Sequence, residues 1–353
     1  MSLFPPSWYQ YQHEVPLFYS QLFLALDSNK NKGKNQQDAK SHVIACFQYS
    51  STIRAMITVL TPAYNRAYIL NNLYKSLCLQ NDMDFEWVIV DDGSSDNTES
   101  IVKDWIRENT LFTIRYFKQE NGGKHRALNK GISLSLGDYI FIVDSDDYLT
   151  SDAISFINAH ISEIDDDKYA GIAGLRGWIG KDGTIGDIPE NDKYIDAKNS
   201  ERKKLGLQED KAEVYKRSVL LSHPFPEYEG ENFIWEGSVW DRLALEGYVI
   251  RWYNHVIYRC KYLEDGLTNN ITKEFLSKNF QGLTYCTKQS LKLEGFKDKI
   301  NLVYEYIEVA ELKGLKFRDI KNNLNISPLF LYFSYTVGRL KKFVKQLLRG
   351  NHE

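Results

Sequence analysis

The run YIFIVDSDDY, residues 139–148, joins a continuous apolar stretch to three carboxylates. A strand that is buried on both faces of a parallel sheet has such an apolar sequence, and ligands of open α/β sheets bind beyond the carboxyl ends of the strands. Asp144 and Asp146 alternate along the chain, so on an extended backbone both side chains point the same way. Adjacent carboxylates repel one another unless a cation joins them, and oxygen ligands suit Mg²⁺ or Mn²⁺. The alternative interpretation is a solvated acidic turn.

The residues before this run alternate between strand and helix patterns. Strands are predicted at residues 57–60, 85–90, 112–117 and 139–143, and the helix before the last strand spans residues 124–136. Alternation of strands and helices with short loops predicts a mostly parallel sheet with right-handed crossovers. The predicted fold class is therefore α/β, with a Rossmann-like order of elements.

Length and composition limit what the chain can be. It has 353 residues, 43% of them hydrophobic, and a net charge of −3, which suits one large domain with additions and gives no nucleic-acid signal. The four cysteines are far apart and show no CxxC spacing, so we expect the reduced thiols of a cytoplasmic protein rather than disulfides or a zinc site. No apolar run reaches the roughly 18 residues that a membrane-spanning helix needs.

Residues 1–55 do not fit the alternating pattern, whereas Met56 stands directly before the first predicted strand. We expect Met56 to be the natural start and residues 1–55 to be a mis-called or poorly ordered extension. The alternative is an appendage that packs on the domain. Beyond residue 150 the alternation fades, and helical patterns return over residues 274–313 and 328–349.

Four polar segments lie where a predicted strand ends and a helix begins: residues 61–66, 91–96, 121–129 and 144–147. In a parallel sheet these positions all fall on one edge. Carboxylates occur in the second and last segments, and the third segment carries basic side chains. This pattern suits a nucleoside diphosphate, with carboxylates at the base or ribose, cations at the phosphates, and a divalent metal bridging phosphate oxygens.

These segments resemble the motifs of the family 2 glycosyltransferases, a large inverting group with the GT-A fold. The matching stretches are TPAYNR (61–66), VDDGSSDNT (90–98), NGGKHRALNKG (121–131) and DSDD (144–147). They follow the order and spacing of the family. The resemblance implies a GT-A domain over residues 56–270, divided into a nucleotide-sugar-binding half (56–150) and an acceptor half (151–270). A helical C-terminal extension, residues 271–353, follows it.

The resemblance also implies roles for individual residues. Asp144 and Asp146 match the two carboxylates of the DxD motif of the family, which contact the ribose and a divalent ion, Mn²⁺ or Mg²⁺. The residues that match the nucleotide-sugar site are Thr61, Pro62, Ala63, Tyr64, Asn65, Asp91, Asp92, Lys124, Arg126, Asn129, Asp144 and Ser145.

Residues 235–248, WEGSVWDRLALEGY, resemble the family segment in which an acidic pair precedes a Trp-containing helix and a Gly-Tyr turn. Aligning Trp240 and Gly247 places Glu236 at the position of the catalytic base. The family usually has Glu-Asp there, and this chain has Trp235 before Glu236. Two alternatives stay open: Glu231 is the base, or Glu236 only caps the helix that follows it.

The resemblance implies metal-dependent, inverting transfer of a sugar from a nucleotide diphosphate, for which we expect UDP. The acceptor is expected to be a hydroxyl of a saccharide or lipid-linked saccharide, in surface polysaccharide or glycan assembly. One alternative is a sugar-nucleotidyltransferase, which should carry a Gly-rich loop after the first strand, and residues 61–66 contain no Gly. The other is an inactive protein that only binds nucleotide sugars.

The end of the chain offers a membrane contact. Five basic residues flank apolar residues at helical spacing within residues 339–349, so this helix is expected to lie on the inner face of an anionic membrane. The alternative is that its apolar face packs on the domain. Residues 262–268 resemble a family loop that closes over the donor, with a plain Asp-Gly turn as the alternative.

Overall fold

Four parallel strands form the first part of the sheet: β1 (Ile57–Ala63), β2 (Phe85–Asp91), β3 (Thr113–Lys118) and β4 (Tyr139–Ile142). They lie in the order β3-β2-β1-β4. Ala63 lies opposite Asp91, and Leu60 lies opposite Ile142, so these strands end close to one edge. Every residue of β1 and β2 is buried, which explains their apolar sequences. The predicted α/β class with a mostly parallel first half is confirmed.

The computed structural model describes residues 56–186, 193–261 and 271–350. The expectations for residues 1–55 and 262–268 therefore lie outside the described residues.

Three helices connect the parallel strands and cover both faces of the sheet. Helices α1 (Leu70–Cys78) and α2 (Thr98–Glu108) pack on one face, where Leu73 and Val102 join a buried cluster with Trp87. Helix α3 (Lys124–Leu134) packs on the other face with Leu128 and Ile132 in a second cluster. Because α3 crosses to the opposite face, β4 pairs with β1 on the side away from β2.

The second part of the sheet is mixed. Its strands are β5 (Tyr148–Leu149), β6 (Tyr169–Trp178), β7 (Thr184–Ile185), β8 (Tyr194–Ala197), β9 (Lys211–Lys216) and β10 (Val249–Cys260). The order continues as β4-β9-β6-β10-β5, with β7 on β6 and β8 on β10. Strand β9 runs antiparallel to both of its neighbours, β4 and β6. The helices of this part are α4 (Ala153–His160), α5 (Arg217–Ser222) and α6 (Gly237–Leu245).

Residues 180–186 and 193–212 contain more structure than their polar sequence suggests. They include β7, β8, a 3₁₀ helix (Asn199–Lys204) and the start of β9. Lys211 begins β9 and is only 1% exposed, because its Nζ donates hydrogen bonds to the backbone oxygens of Ile185 and Gln208 at 3.2 and 2.7 Å. A satisfied lysine in a central strand breaks the apolar pattern by which buried strands are recognised.

Five helices follow: α7 (Lys273–Lys278), α8 (Phe280–Leu293), α9 (Phe296–Leu312), α10 (Phe317–Leu324) and α11 (Pro328–Gly350). They share a core that includes Val303, Ile307 and Leu331. Helix α8 also packs on α6, where Ser290 Oγ donates to Asp241 Oδ2 at 2.9 Å. Among the described helices, none combines the length and apolarity that crossing a bilayer requires.

Candidate active site

The candidate site lies where the sheet order changes direction. Strand β2 is on one side of β1 and β4 is on the other, so the chain leaves a crevice at the carboxyl ends of β1 and β4. Open α/β sheets bind ligands at such a point. The segments after β1, β2 and β4 and the start of α3 are the four motif segments of the sequence, and they all come from this edge.

Hydrogen bonds join the segment after β1 to the segment after β2. Asn65 has a positive φ of 53°, and its backbone N–H donates to Ser94 Oγ at 2.8 Å, while Ser95 N–H donates to Asn65 Oδ1 at 2.9 Å. Thr61 is fully buried and accepts a hydrogen bond from Trp87 Nε1 at 3.0 Å. Tyr64 is half exposed at the rim. Thr61 therefore supports the strand, and Tyr64 is the side chain of this segment that faces solvent.

The two aspartates at the end of β2 are buried, and each accepts several hydrogen bonds. Asp91 accepts hydrogen bonds from Ser94 N–H at 2.7 Å and from the hydroxyl of Tyr116. Asp92 accepts from the backbone N–H groups of Gly122 and Gly123 at 2.9 and 2.8 Å. We call this arrangement of Asp92 and residues 119–123 the Asp92 clasp. The clasp fixes the turn that leads into α3.

Lys124 begins α3 and joins two carboxylates. Its Nζ lies 2.5 Å from Asp144 Oδ1 and 2.6 Å from Glu236 Oε1. The side chains are 30% (Lys124), 28% (Asp144) and 32% (Glu236) exposed. Burial alone would lower the pKa of Lys124, but the two carboxylates outweigh it and hold that pKa well above its ordinary value. The sequence placed these residues in three separate motifs, and the structure brings them together.

The acidic turn after β4, residues 144–147, contains three aspartates and no basic residue. Burial raises the pKa of Asp147 to about 8, with further contributions from Asp144 and Asp146. Burial and the charge of Asp144 also raise the pKa of Asp146. For Asp144, burial acts in the same direction, but Lys124 and Arg176 outweigh it, so its pKa is lowered.

The residues of this turn fit a divalent cation. Asp144 and Asp146 offer oxygen ligands and carry charge that a cation would offset. One oxygen is already engaged in two of the three aspartates: Asp144 Oδ1 contacts Lys124 Nζ, and Asp147 Oδ2 accepts a hydrogen bond from the Tyr258 hydroxyl at 2.9 Å. No three His, Cys, Asp or Glu side chains among the described residues already form a ligand set. A cation at Asp144 and Asp146 therefore needs further oxygens from phosphate or water.

Sequence reasoning missed two residues that hold the acidic turn. Besides its bond to Asp147, the Tyr258 hydroxyl accepts a hydrogen bond from Asp144 N–H at 3.0 Å. The guanidinium carbon of Arg176 lies 4.4 Å from the centre of the Tyr258 ring. These residues come from β10 and β6, far from the turn in sequence. No local motif identifies them.

Arg126 and Asn129 bind the segment before α6. Arg126 Nη1 pairs with Glu227 Oε2 at 2.5 Å, and its Nη2 donates to Tyr228 O at 2.6 Å. Asn129 exchanges two hydrogen bonds with the backbone of Phe225, at 2.9 and 2.8 Å. Both residues line an open surface groove of about 490 Å³. Their role in nucleotide binding stays a prediction, and their observed contacts hold the acceptor half against α3.

The two candidate bases have different surroundings. Glu231 accepts hydrogen bonds from the backbone N–H groups of Gln281 and Gly282, at 2.7 and 2.8 Å, and so caps the start of α8. Glu236 is the residue directly before α6, but its side chain makes no capping hydrogen bond to that helix. Its carboxylate instead contacts Lys124 at the acidic turn. Geometry therefore favours Glu236 over Glu231 as a group that meets substrates.

Comparisons with known proteins agree with this architecture. Residues 58–222 match the family described as Glycosyl transferase family 2. The chain is 27% identical over 305 residues to the GalNAc(5)-diNAcBac-PP-undecaprenol beta-1,3-glucosyltransferase of Campylobacter jejuni, a match that covers 83% of this chain and 87% of that protein. It is 35% identical to the glycosyltransferase GlyG of Streptococcus pneumoniae over 33% of this chain and 38% of that protein.

A solved structure shares the fold. The S. aureus TarS structure of residues 1–349 with UDP-GlcNAc aligns with a TM-score of 0.54 and 19% identity over 72% of each chain. The sheet order, the acidic turn after β4 and the related sequences thus point to one family with the GT-A fold. Residues 58–222 thus match glycosyltransferase family 2, and the protein is a glycosyltransferase.

Proposed function

We propose that the protein transfers a sugar from a nucleoside diphosphate, with UDP as the expected nucleotide, to a hydroxyl group with inversion at the anomeric carbon. The observation that carries the proposal is the meeting of Asp144 and Glu236 on either side of Lys124. Asp144 belongs to the donor-side turn, and Glu236 comes from the acceptor half. An inverting transferase needs its leaving-group site and its base on opposite sides of the reacting carbon.

The residues of this site can perform the reaction in one displacement. Glu236 takes the proton of the acceptor hydroxyl while its oxygen attacks the anomeric carbon. The bond from that carbon to the diphosphate oxygen breaks on the opposite face, and the nucleoside diphosphate leaves with the electron pair. Asp144 and Asp146 would hold a divalent cation, which, when bound, offsets charge on the leaving diphosphate. Lys124 supplies a further positive charge at the same place.

The nucleotide is proposed to lie along the loops after β1 and β2. Tyr64 is exposed there, and Asn65 is fixed by hydrogen bonds to the segment after β2. Asp91 is fully buried beside them, with both carboxylate oxygens already accepting hydrogen bonds. We therefore assign direct contacts with base or ribose to Tyr64 and Asn65 first, and a supporting role to Asp91.

We infer that the acceptor is a lipid-linked saccharide and that α11 contacts the membrane that holds it. The name of the C. jejuni relative specifies a polyprenyl-diphosphate-linked substrate. Helix α11 exposes Leu340, Phe343, Leu347 and Leu348, each more than half exposed. The same helix contains basic residues and no acidic residue. An exposed apolar face beside cations suits the surface of an anionic bilayer.

The test is a panel of UDP-, GDP- and CDP-sugars with Mn²⁺, with released nucleoside diphosphate as the readout. We expect Glu236→Gln to lower turnover about 10²–10⁴-fold, because the amide keeps the shape but takes no proton. Glu229→Gln, an exposed acid of the same segment, is the matched control and should keep turnover. Turnover of Glu236→Gln within a few-fold of wild type contradicts the base assignment. Conversion of a nucleotide sugar and added pyrophosphate into a nucleoside triphosphate and a sugar 1-phosphate, without release of a nucleoside diphosphate, identifies a nucleotidyltransferase.

A further inference from the structure

Lys124 occupies an oxygen of the residue that we propose as the base. Its Nζ lies 2.6 Å from Glu236 Oε1 and 2.5 Å from Asp144 Oδ1. An ammonium at this distance holds the carboxylate oxygen in a charge-assisted hydrogen bond. An acceptor hydroxyl therefore competes with Lys124 for the carboxylate of Glu236. The inference that follows rests on the proposed function.

The backbone of Lys124 is fixed, whereas its ammonium can move. The Asp92 clasp holds the two preceding glycines. Gly123 has a φ of +97°, and a Cβ built there would lie 1.8 Å from Asn232 O, so this turn also fits closely against the acceptor half. Only the four-carbon stem and the ammonium of the lysine can rotate. Any exchange of partners is thus a movement of Nζ about a fixed Cα.

A donor diphosphate supplies the competing partner. Its anionic oxygens would lie at the acidic turn, beside the present position of Nζ, and phosphate oxygens are strong acceptors for an ammonium. We propose that Lys124 is an electrostatic latch: it holds Glu236 in the donor-free protein and exchanges Glu236 for the diphosphate when the donor binds. The base is then released only next to a bound donor, so the donor binds before the acceptor reacts.

The latch predicts an effect of Glu236 on nucleotide affinity, which a role as base alone does not predict. Because Glu236 and the diphosphate compete for the same ammonium, loss of the Glu236 charge should tighten nucleotide binding. The gain should vanish when Lys124 is also removed, since coupling between two groups requires both. A Glu236 that acts only as a base has no effect on nucleotide affinity in either background.

The experiment is a double-mutant cycle by titration calorimetry with Mn²⁺, with UDP and uridine as the probes. We expect Glu236→Gln to bind UDP about three- to tenfold more tightly than wild type. Lys124→Met should lose about tenfold or more in UDP affinity but keep its uridine affinity within about twofold, because only UDP carries the phosphates. In the double variant, Glu236→Gln should give no gain. Lys124→Arg keeps the charge and should bind UDP within a few-fold of wild type.

Each other outcome has a distinct meaning. If Glu236→Gln changes UDP affinity equally in wild type and in Lys124→Met, or does not change it in wild type, the latch is overturned. The turnover of Glu236→Gln still tests separately whether Glu236 is the base. Equal weakening of UDP and uridine by Lys124→Met makes Lys124 a structural residue and also overturns it. If Lys124→Met does not fold, unchanged UDP affinity in Glu236→Gln alone is decisive against the latch. A wild-type protein that binds no UDP overturns both the latch and the UDP donor.

Discussion

Asp92 serves the site through its neighbours. It is 4% exposed, and its carboxylate accepts hydrogen bonds from Gln119 Nε2 at 2.8 Å as well as from the backbone of Gly122 and Gly123. All these donors belong to the turn before Lys124. The motif that contains Asp92 and the motif that contains Lys124 are therefore one structural unit. We expect Asp92 to position Lys124.

Replacing Asp92 by Ala should impair both stability and nucleotide binding. The change leaves two backbone N–H groups without acceptors, which costs about 1–3 kcal/mol in the free energy of unfolding. A displaced Lys124 should weaken UDP binding by about tenfold. Thermal unfolding and calorimetry measure the two effects. Asp104→Ala on the exposed side of α2 is the control. A normal melting temperature and normal UDP affinity in Asp92→Ala would show that the clasp is dispensable.

The start of α8 distinguishes the two candidate bases, because only Glu231 contacts it. Glu231 accepts from two backbone N–H groups there, and a carboxylate at a helix N-terminus is stabilised by the helix dipole. We predict that Glu231→Gln lowers the free energy of unfolding by about 1 kcal/mol and keeps turnover within several-fold. Melting curves and donor turnover measured on the same preparation check this. Lost turnover with an unchanged melting temperature would make Glu231 the base.

Helix α11 exposes apolar side chains next to basic residues. Phe343 and Leu347 are 57% and 55% exposed, and Lys345 lies between them in sequence. We expect the protein to cosediment with phosphatidylglycerol-containing vesicles and to be released by salt, because the cations contribute to binding. Phe343→Ser combined with Leu347→Ser should weaken vesicle binding about tenfold or more without changing the melting temperature.

The matched control on this helix is Leu329→Ser, in its first turn and 84% exposed. It should leave vesicle binding within about twofold, because the membrane contact is assigned to the second half of α11. No binding to anionic vesicles contradicts the membrane assignment. A dimer that dissociates in the double variant would show that the apolar face joins two copies of the chain.

At the scale of the molecule, distant parts of the chain assemble one site. Asp92 fixes Lys124 from the parallel half, and Tyr258 fixes the acidic turn from β10. The helical extension fixes the acceptor side, because Asn279 Oδ1 accepts from the backbone N–H groups of Asn232 and Phe233 at 3.0 Å. The segment that leads to Glu236 is therefore held by residues beyond the sheet. The extension contributes to the geometry of the site.

The sequence predicts the half of the molecule whose contacts are local. Strands β1 and β2 are apolar because they are buried on both faces, so the sequence pattern identifies both the strands and the polar loops that follow them. Strand β9 escapes recognition because Lys211 and Glu213 interrupt its apolar pattern. Tyr258 and the capping role of Glu231 depend on pairing between distant segments, which no spacing in one sequence reveals.

We propose that Asp144 and Asp146 bind a nucleoside diphosphate through a divalent cation. Titration of UDP into wild type and Asp146→Ala, each with Mn²⁺ and with EDTA, tests it most directly. Asp147→Asn is the neighbouring control, because its side-chain oxygen can still accept the hydrogen bond of Tyr258. We predict that Mn²⁺ strengthens UDP binding to wild type and to Asp147→Asn. In the presence of Mn²⁺, Asp146→Ala should bind UDP about 100-fold more weakly than wild type. UDP affinity that is equal with Mn²⁺ and EDTA, and unchanged in Asp146→Ala, would contradict the claim.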